Sequence, residues 1–454
     1  MTEPLQAPKG TRDFLPPAMA VRRYIEDAWR RVSHRFGFLE VDGPTFEMLD
    51  LYKLKSGDEI VSQLFAFTDR GGRDLALRPE FTPTVARMVA ESGAGLAKPI
   101  KWFSIPRCYR AEQPQKGRLR EFIQWNVDFL GDASNIADRE CLAVCSAALF
   151  ELGLRSHDFI VTWNHRDLMA ELLTKLGIRA EKMPDTFYVL DRLQKLSADA
   201  QKALFDQKGF TAAEQELFVL FAAAGEKKSL HAPLMDRIDS GAARETFKKL
   251  MDMQHNLTLP EIEGSFRWDI SLVRGLAYYT GFVFEVADAQ GENRAIAGGG
   301  RYDNLIELLG GQPMPAVGFG MGDVVLEILL RERGVLPANV LPGPDVFIIN
   351  TSEQAELSAE WAARLRRSSF DAGAQKIVEC GLSVQCSYRA TRNIGKLLQE
   401  ADGKGSRCAL IFAPDELGRG MVKWRDMKAR TEIELPIEQA ELYIREAVGV
   451  IRRG

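Results

Sequence analysis

The segment RCYRAEQPQKGRLREFIQ, Arg107 to Gln124, gathers side chains that handle phosphate. Arg110 stands where an apolar strand ends, and its planar guanidinium fork matches phosphoryl oxygens. Glu112, two residues on, falls on the same face of an extended chain and can accept a hydrogen bond from an amino group. Phe122, on the returning strand, offers a flat face to a heterocycle. Lys116, Arg118 and Arg120 would meet phosphates or a nucleic-acid backbone. A solvated, charged hairpin accounts for this one segment equally well. Further along, Gly298, Gly299 and Gly300 mark backbone that comes close to something or takes positive φ, and a tight hairpin explains such a run as readily as a pocket wall.

These residues need a frame. AMAVRRYIEDAWRRVSHRFGF carries apolar residues at helical spacing and stops at Gly37. FLEVDGPTF reads as a strand meeting Pro44, and LFAFTDRGGRDLALRP as two strands around a Gly-Gly turn. WFSIPRCYRAE and REFIQWNVDFLG predict antiparallel strands on either side of the basic loop. A further strand is predicted at DFIVTW; from about Arg166 to Pro260 the pattern is helix after helix, as in a helical insertion. Strand character returns at SFRWDISLVRG and YYTGFVFEVAD, followed by the glycines and the helix YDNLIELLGG. Beyond the proline-rich VLPANVLPGPD, strands DVFIIN, QKIVEC and RCALIFA alternate with two helical runs, which predicts a small α/β domain with a largely parallel sheet. Residues 1–336 are thus expected to form one domain interrupted by the insertion, 337–344 a linker, and 345–454 the α/β domain.

Composition narrows the class. The 454 residues, with 46% hydrophobic and 27% charged side chains, describe a soluble globular protein of two or three domains. No apolar run is long enough to span a bilayer, and the start MTEPLQAPKGTRDFLP lacks the pattern of a secretory signal. Six scattered cysteines read as free thiols in a reducing cytoplasm, and the dispersed histidines make a zinc site improbable. The net charge of −4 neither advertises nor excludes a nucleic-acid partner, because local patches decide that.

The basic hairpin resembles motif 2 of class II aminoacyl-tRNA synthetases, in the histidyl-tRNA synthetase form. KGTRDFLP resembles the family's opening signature, the strand with Pro44 motif 1, and LALRPEFTPTVAR the amino-acid-binding segment. LVRGLAYYTGFVFEV and AIAGGGRYDNLIELLGG resemble its two histidine-specific blocks, and CALIFAPDELGRGMVKWRD its anticodon-binding domain. The resemblance implies an α+β catalytic domain on an antiparallel sheet (the class II synthetase fold) with a helical insertion, followed by a C-terminal α/β domain. It implies that histidine and ATP react to histidyl-adenylate, with Mg2+ on the phosphates, and that the histidyl group passes to tRNA(His). Arg110 and Arg274 would flank the α-phosphate as catalytic arginines; Arg118 and Arg120 would add to ATP binding, Phe122 would stack on adenine, and Glu112 would hydrogen-bond near it. Glu80, Thr82 and Gln124 would hold the amine of histidine, Asp128 and Tyr279 its imidazole, with Tyr278, Gly298 and Gly299 in the same pocket. Taken singly, Glu80 could instead cap a helix and Tyr279 could be core packing. Gln115, Lys116, Arg389 and Arg392 would contact tRNA, and the family generally forms homodimers.

Two positions depart from the family pattern. Ala277 replaces an aspartate in the RGLDYYTG block, and Val325 stands where motif 3 carries an arginine that packs on adenine and reaches the terminal phosphate. Arg331, Arg333 and Arg120 are the candidate replacements. The gap leaves a non-aminoacylating paralogue, such as the regulatory subunit of ATP phosphoribosyltransferase, as the alternative.

Overall fold

The computed structural model describes residues 5–53, 63–193, 196–226, 234, 241–269, 272, 278–291, 294–337, 340–371, 376–389 and 391–449. The chain divides into two compact units, Met1–Ala338 and Asn339–Gly454.

In the first unit EFIQWNVDFL forms one long strand, β7 (Glu121–Leu130), and the unit is organised around it. Its odd positions turn to a helical layer. Trp125 stacks on Trp29, with ring centroids 5.8 Å apart and planes 14° from parallel, and its indole N–H donates to Ser33 Oγ at 3.1 Å. Trp29 belongs to the helix Pro16–Arg35, whose Ile25, Ala28, Trp29 and Val32 are buried at three- and four-residue spacing. Burying side chains of this size contributes roughly 1.5–3 kcal/mol each. The helix ends where Gly37 takes φ 75°, with Gly37 N–H on the His34 carbonyl and Phe38 N–H on that of Ser33.

The other strands of this unit are β1 (Leu39–Glu40), β2 (Phe46–Met48), β3 (Ala66–Thr68), β4 (Asp74–Leu77), β5 (Ile100–Ser104), β6 (Arg107–Tyr109), β8 (Phe159–His165), β9 (Phe266–Trp268), β10 (Phe282–Asp288), β11 (Ala297–Arg301) and β12 (Ala316–Gly322). Among the described residues nine of them form one sheet in the order β1-β5-β7-β12-β11-β10-β8-β9, with β6 also on β7. Only the edge pairs β1–β5 and β8–β9 are parallel. The predicted strands at DFIVTW and around the basic loop are present, and LFAFTDRGGRDLALRP forms the antiparallel hairpin β3–β4, which continues to β2. The stretch FLEVDGPTF is not one strand: it breaks into β1 and β2 around Pro44.

The helical stretch leaves the sheet at His165 and returns at Phe266, beside the strand it left, with Val161 opposite Phe266. It contains Arg166–Lys175, Met183–Leu193, Ala198–Lys208, Ala212–Glu226 and Gly241–Leu257. Phe205, Phe210 and Phe218 form its aromatic kernel, with centroids 5.2–6.4 Å apart.

In the second unit β13 (Val346–Asn350), β16 (Val384–Cys386), β17 (Cys408–Phe412), β18 (Met421–Asp426) and β19 (Glu432–Pro436) form a sheet in the order β16-β13-β17-β18-β19. Helices cover both faces: Trp361, Leu365 and Ile444 pack on Val346 and Ile348, while Leu397 and Ala401 pack on Phe347 and Ile349. The sheet is mixed rather than largely parallel, because β18 and β19 return as antiparallel hairpins. The predicted strand QKIVEC lies outside it, with β14 (Ser369–Asp371) and β15 (Lys376–Glu379) forming a separate two-stranded ladder.

Candidate active site

The floor of the site is set by which residues lack a side chain. On β7 the even positions Gln124, Asn126 and Asp128 are polar in an otherwise apolar strand, and alternation sends them to the face away from Trp125. Opposite them on β12 stand Gly322, Gly320 and Gly318, and β11 continues the row with Gly298 beside Gly320 and Gly300 beside Gly318. A Cβ on Gly320 would lie 2.6 Å from Gln124 Nε2, and one on Gly318 would lie 2.8 Å from Asp128 Oδ1. The glycines are therefore what lets the β7 side chains lie across the neighbouring strand. The run Gly298–Gly300 is neither a tight hairpin nor a positive-φ turn but the middle of a strand.

Two adjoining cavities open over this floor. One, of 320 Å³, has Glu80, Thr82, Asn126, Tyr278, Tyr279 and Tyr302 in its wall. The other, of 180 Å³, is lined by Phe122, Gly117, Arg118, Ile296 and Val325. Arg110, Gln124, Gly298 and Gly320 belong to both.

The larger cavity holds polar groups without protein partners. Glu80 is buried; Tyr278 OH donates to its Oε2 at 2.7 Å, while Oε1 has no partner. Burial pushes its carboxyl up, against the hydrogen bond from Tyr278 and the Arg110 charge, which lower it. Glu80 does not cap the helix Thr82–Ser92, which has no side-chain cap bond. Asn126 Oδ1 is likewise buried and unpaired. Asp128 accepts from Tyr302 OH through Oδ1 and leaves Oδ2 without a partner. Burial raises its carboxyl to about 7, against the hydrogen bond from Tyr302, which lowers it. Buried polar atoms are paired as a rule, so three orphans in and behind one wall mark a place prepared for a polar guest.

The basic hairpin is mostly self-satisfied. Arg107 pairs with Glu121 at 2.9 Å, Lys116 with Glu332 at 3.1 Å, and Arg118 with Glu112. Arg120 donates to the carbonyls of Glu112 and Lys9. Arg110 differs: among the described residues it gives one bond, Nε to the Pro79 carbonyl at 3.2 Å, and its guanidinium carbon sits 5.2 Å from the Phe122 ring centroid at the junction of the cavities. Residues Gln115 to Arg118 close the tip as a two-residue hairpin with Gly117 at φ 76°. Gly10, at φ 88°, accepts from the N–H groups of Arg120 and Glu121, and the nearby Arg12 pairs with Asp323 at 2.6 Å. Asp323 also accepts from Ile123 N–H at 2.9 Å. The N-terminal signature thus ties β7 to the helix Asp323–Glu332.

The structure brings Arg110, Phe122, Arg118, Glu80, Thr82, Gln124, Tyr278, Tyr279, Gly298 and Gly299 to these walls. Glu112 and Arg120 lie outside them. β6 ends at Tyr109, and Glu112 N–H then donates to the Arg110 carbonyl at 2.8 Å; this tight turn breaks the alternation expected to hold both residues on one face. Asp128 stands one layer back, behind Tyr302. Tyr302 and Asn126 were missed from the sequence, although the polar alternation Gln124, Asn126, Asp128 in an apolar strand was a readable signal for the second. Arg274 and Ala277 lie outside the described residues, but Leu272 and Tyr278, which flank them, both line the larger cavity. In the second unit Arg389 and Arg392 are exposed, beside Glu400 and Glu353 at 3.4 and 3.8 Å, and Tyr388 is 94% exposed.

Comparison with known proteins supplies the family. Residues 10–323 match the family profile described as histidyl-tRNA synthetase, and 345–447 match an anticodon binding domain. The histidine–tRNA ligase of Opitutus terrae is 40% identical over 446 residues, covering 97% of this chain and 98% of that protein. That of Pyrococcus abyssi is 35% identical, covering 97% and 99%. In fold, the histidyl-tRNA synthetase of Nostoc sp. superposes with a TM-score of 0.76 over 98% of this chain and 100% of that one, at 22% identity. A Bacillus halodurans structure described as an ATP phosphoribosyltransferase regulatory subunit/histidyl-tRNA synthetase gives 0.68 over 90% and 99%, also at 22% identity, and so speaks to fold alone. Near full-length matches to ligases, together with the anticodon binding domain, do not favour the paralogue alternative. The chain belongs to the histidyl-tRNA synthetase family of aminoacyl-tRNA ligases.

Proposed function

We propose that this histidine–tRNA ligase activates its amino acid where the two cavities meet, with histidine in the larger and the adenosine of ATP in the smaller. The observation that carries this is the sharing of Arg110 and Gln124 by a wall of orphaned carboxylate and amide oxygens and a slot bearing Phe122. The substrate ammonium answers Glu80 Oε1, with Thr82 and Gln124 beside it. The imidazole, one donor and one acceptor when neutral, faces Tyr279, Tyr302 and the Asp128 carboxylate behind. The carboxylate of histidine then points to Arg110.

A carboxylate oxygen attacks the α-phosphorus, the bond to the β-phosphate oxygen breaks, and pyrophosphate leaves. Arg110 neutralises the charge that grows on the α-phosphate, without a proton to lose in the process. We assign the opposing cation to Arg274, whose flanking residues Leu272 and Tyr278 line the cavity. A hydroxyl of the terminal tRNA ribose next attacks the histidyl carbonyl carbon, and AMP departs. Magnesium would arrive with the polyphosphate as part of the substrate and would offset the charge of the departing pyrophosphate. Among the described residues no group of three His, Cys, Asp or Glu side chains could hold it alone.

Arg389 and Arg392, with Lys116 and Gln115 at the hairpin tip, are our candidates for the tRNA backbone. We place the chain in the cytoplasm as a homodimer. Its six cysteines are free thiols, as a reducing compartment allows, no described helix is long and apolar enough to cross a membrane, and Phe46, Met48 and Phe67 lie exposed on the β2–β4–β3 sheet. Histidine-dependent exchange of pyrophosphate into ATP tests the first step. Exchange with histidine and with no other amino acid is the expected result; folded protein without exchange overturns the reading, and exchange driven by another amino acid overturns its specificity.

A further inference from the structure

Position 325 leaves a gap in the nucleotide slot, and each cation proposed from the sequence to fill it is engaged elsewhere. Arg331 pairs with Glu327 one helical turn away at 2.7 Å. Arg333 is held by Asp158 and Asp288, at 3.2 and 2.5 Å. Arg120 spends its donors on backbone carbonyls. Of the cations nearer the slot, Arg118 is on Glu112, Lys116 on Glu332 and Arg12 on Asp323.

Arg294 is different. It is exposed and immediately precedes Ala295, Ile296, Ala297 and Gly298, four consecutive residues of the slot wall. Among the described residues it has no ion-pair or hydrogen-bond partner. A Cβ built on Gly117, at the tip of the basic hairpin, would meet Val325 Cγ2 at 3.2 Å and Arg294 Cδ at 4.0 Å. The Arg294 side chain therefore comes to the same point of the slot mouth that Val325 faces. Its guanidinium extends beyond Cδ and is free to turn inward.

We infer that Arg294 supplies to the polyphosphate of ATP the cation that position 325 lacks. The cation has moved from the helix that follows β12 to the loop that enters β11, while the place it serves is kept. Val325 then acts as an apolar wall for the base. The inference rests on the adenylation site proposed above.

Calorimetric titration of the full-length protein with ATP and with AMP, both with magnesium, gives the test, using Arg294→Ala and the double variant Arg294→Ala/Val325→Arg. A lost charged contact predicts an ATP affinity about tenfold or more weaker in the single variant. AMP, which has no β- or γ-phosphate, should change by less than about twofold, and a purely structural role would not produce that split. The double variant should recover ATP affinity. Unchanged ATP affinity in Arg294→Ala, or equal weakening of ATP and AMP, overturns the assignment. Wild-type protein that binds ATP but shows no histidine-dependent pyrophosphate exchange would sink the adenylation reading and leave the binding result for Arg294 standing.

Discussion

Glu80 offers one oxygen to the Tyr278 hydroxyl and keeps the other for a guest. Glu80→Gln retains an acceptor for Tyr278 but loses the charge that meets an ammonium. The KM for histidine should rise roughly tenfold to a hundredfold, the equivalent of about 1.5–3 kcal/mol for a hydrogen bond to a charged group, while the KM for ATP stays within about twofold; pyrophosphate exchange at varied substrate reads both. Asp128 carries a pH signature. Burial raises it from 3.8 to about 7, so between those values the folded state holds a proton that the unfolded chain has lost. Stability is unaffected by this group below about pH 4, falls as pH rises through 7, and is lowest above it. Asp138, raised to about 6 mainly by burial, acts in the same direction, and His165, lowered to about 4 by burial, acts in the opposite one. The difference between wild type and Asp128→Asn isolates the aspartate: denaturant midpoints measured from pH 4 to 8 should fall with pH more steeply in wild type. Parallel curves would show that Asp128 stays charged. Of these residues, Glu80 is singled out by the family resemblance alone, since its type and neighbours fit a helix cap equally well. Tyr302 is not singled out, because its place in front of Asp128 depends on how β7 and the segment after β11 meet across the sheet, which no local pattern records.

At the scale of elements the glycines divide into two kinds. A Cβ at Gly298 meets one atom within 4 Å, the Phe284 carbonyl at 3.8 Å, and otherwise enters the space shared by both cavities. A Cβ at Gly299 would stand 2.4 Å from the Gly318 carbonyl and 2.5 Å from Phe319 Cβ, inside the ladder. Gly298→Val should leave the thermal unfolding midpoint within a few degrees of wild type and abolish exchange. Gly299→Ala should cost about 1–3 kcal/mol or more of stability, read by urea unfolding, because the contact is with backbone that cannot step aside. Equal destabilisation by both would remove Gly298 from the cavity wall. The long elements were readable because their periods are strong: the helix ending at Gly37, and the strands on either side of the basic hairpin. Two of the readings that failed have plain physical reasons. Glu112 left the face of Arg110 because a tight turn interrupts the extended chain. QKIVEC left the main sheet of the second unit because strand propensity cannot say which partner a strand will take.

At the scale of the whole molecule the chemistry and the reading of tRNA are separable by sequence position. Every wall residue of the two cavities precedes Ala338, and the second unit has its own cores on both faces of its own sheet. Removing Asn339–Gly454 should therefore leave histidine-dependent pyrophosphate exchange within a fewfold of wild type. Charging of tRNA(His) should fall further, by about a hundredfold or more in kcat/KM, because two linked binding surfaces gain that much over one. Both assays belong on the same preparation, with circular dichroism and a cooperative melt to show that the remaining unit is folded. A truncated protein that is folded and loses both activities equally would mean that the second unit supports the adenylation site rather than tRNA binding. One that loses neither would mean that Arg389 and Arg392 do not face nucleic acid. The expected split follows from charge placement. Arg118 and Arg120 of the hairpin are spent on a carboxylate and on carbonyls, whereas Arg389 and Arg392 are 64% and 71% exposed with carboxylates no closer than 3.4 Å. Exposed pairs of that length give up little when a phosphate replaces the carboxylate, so these arginines are open to a polyanion, as is Lys116 at the hairpin tip, 63% exposed beside Glu332.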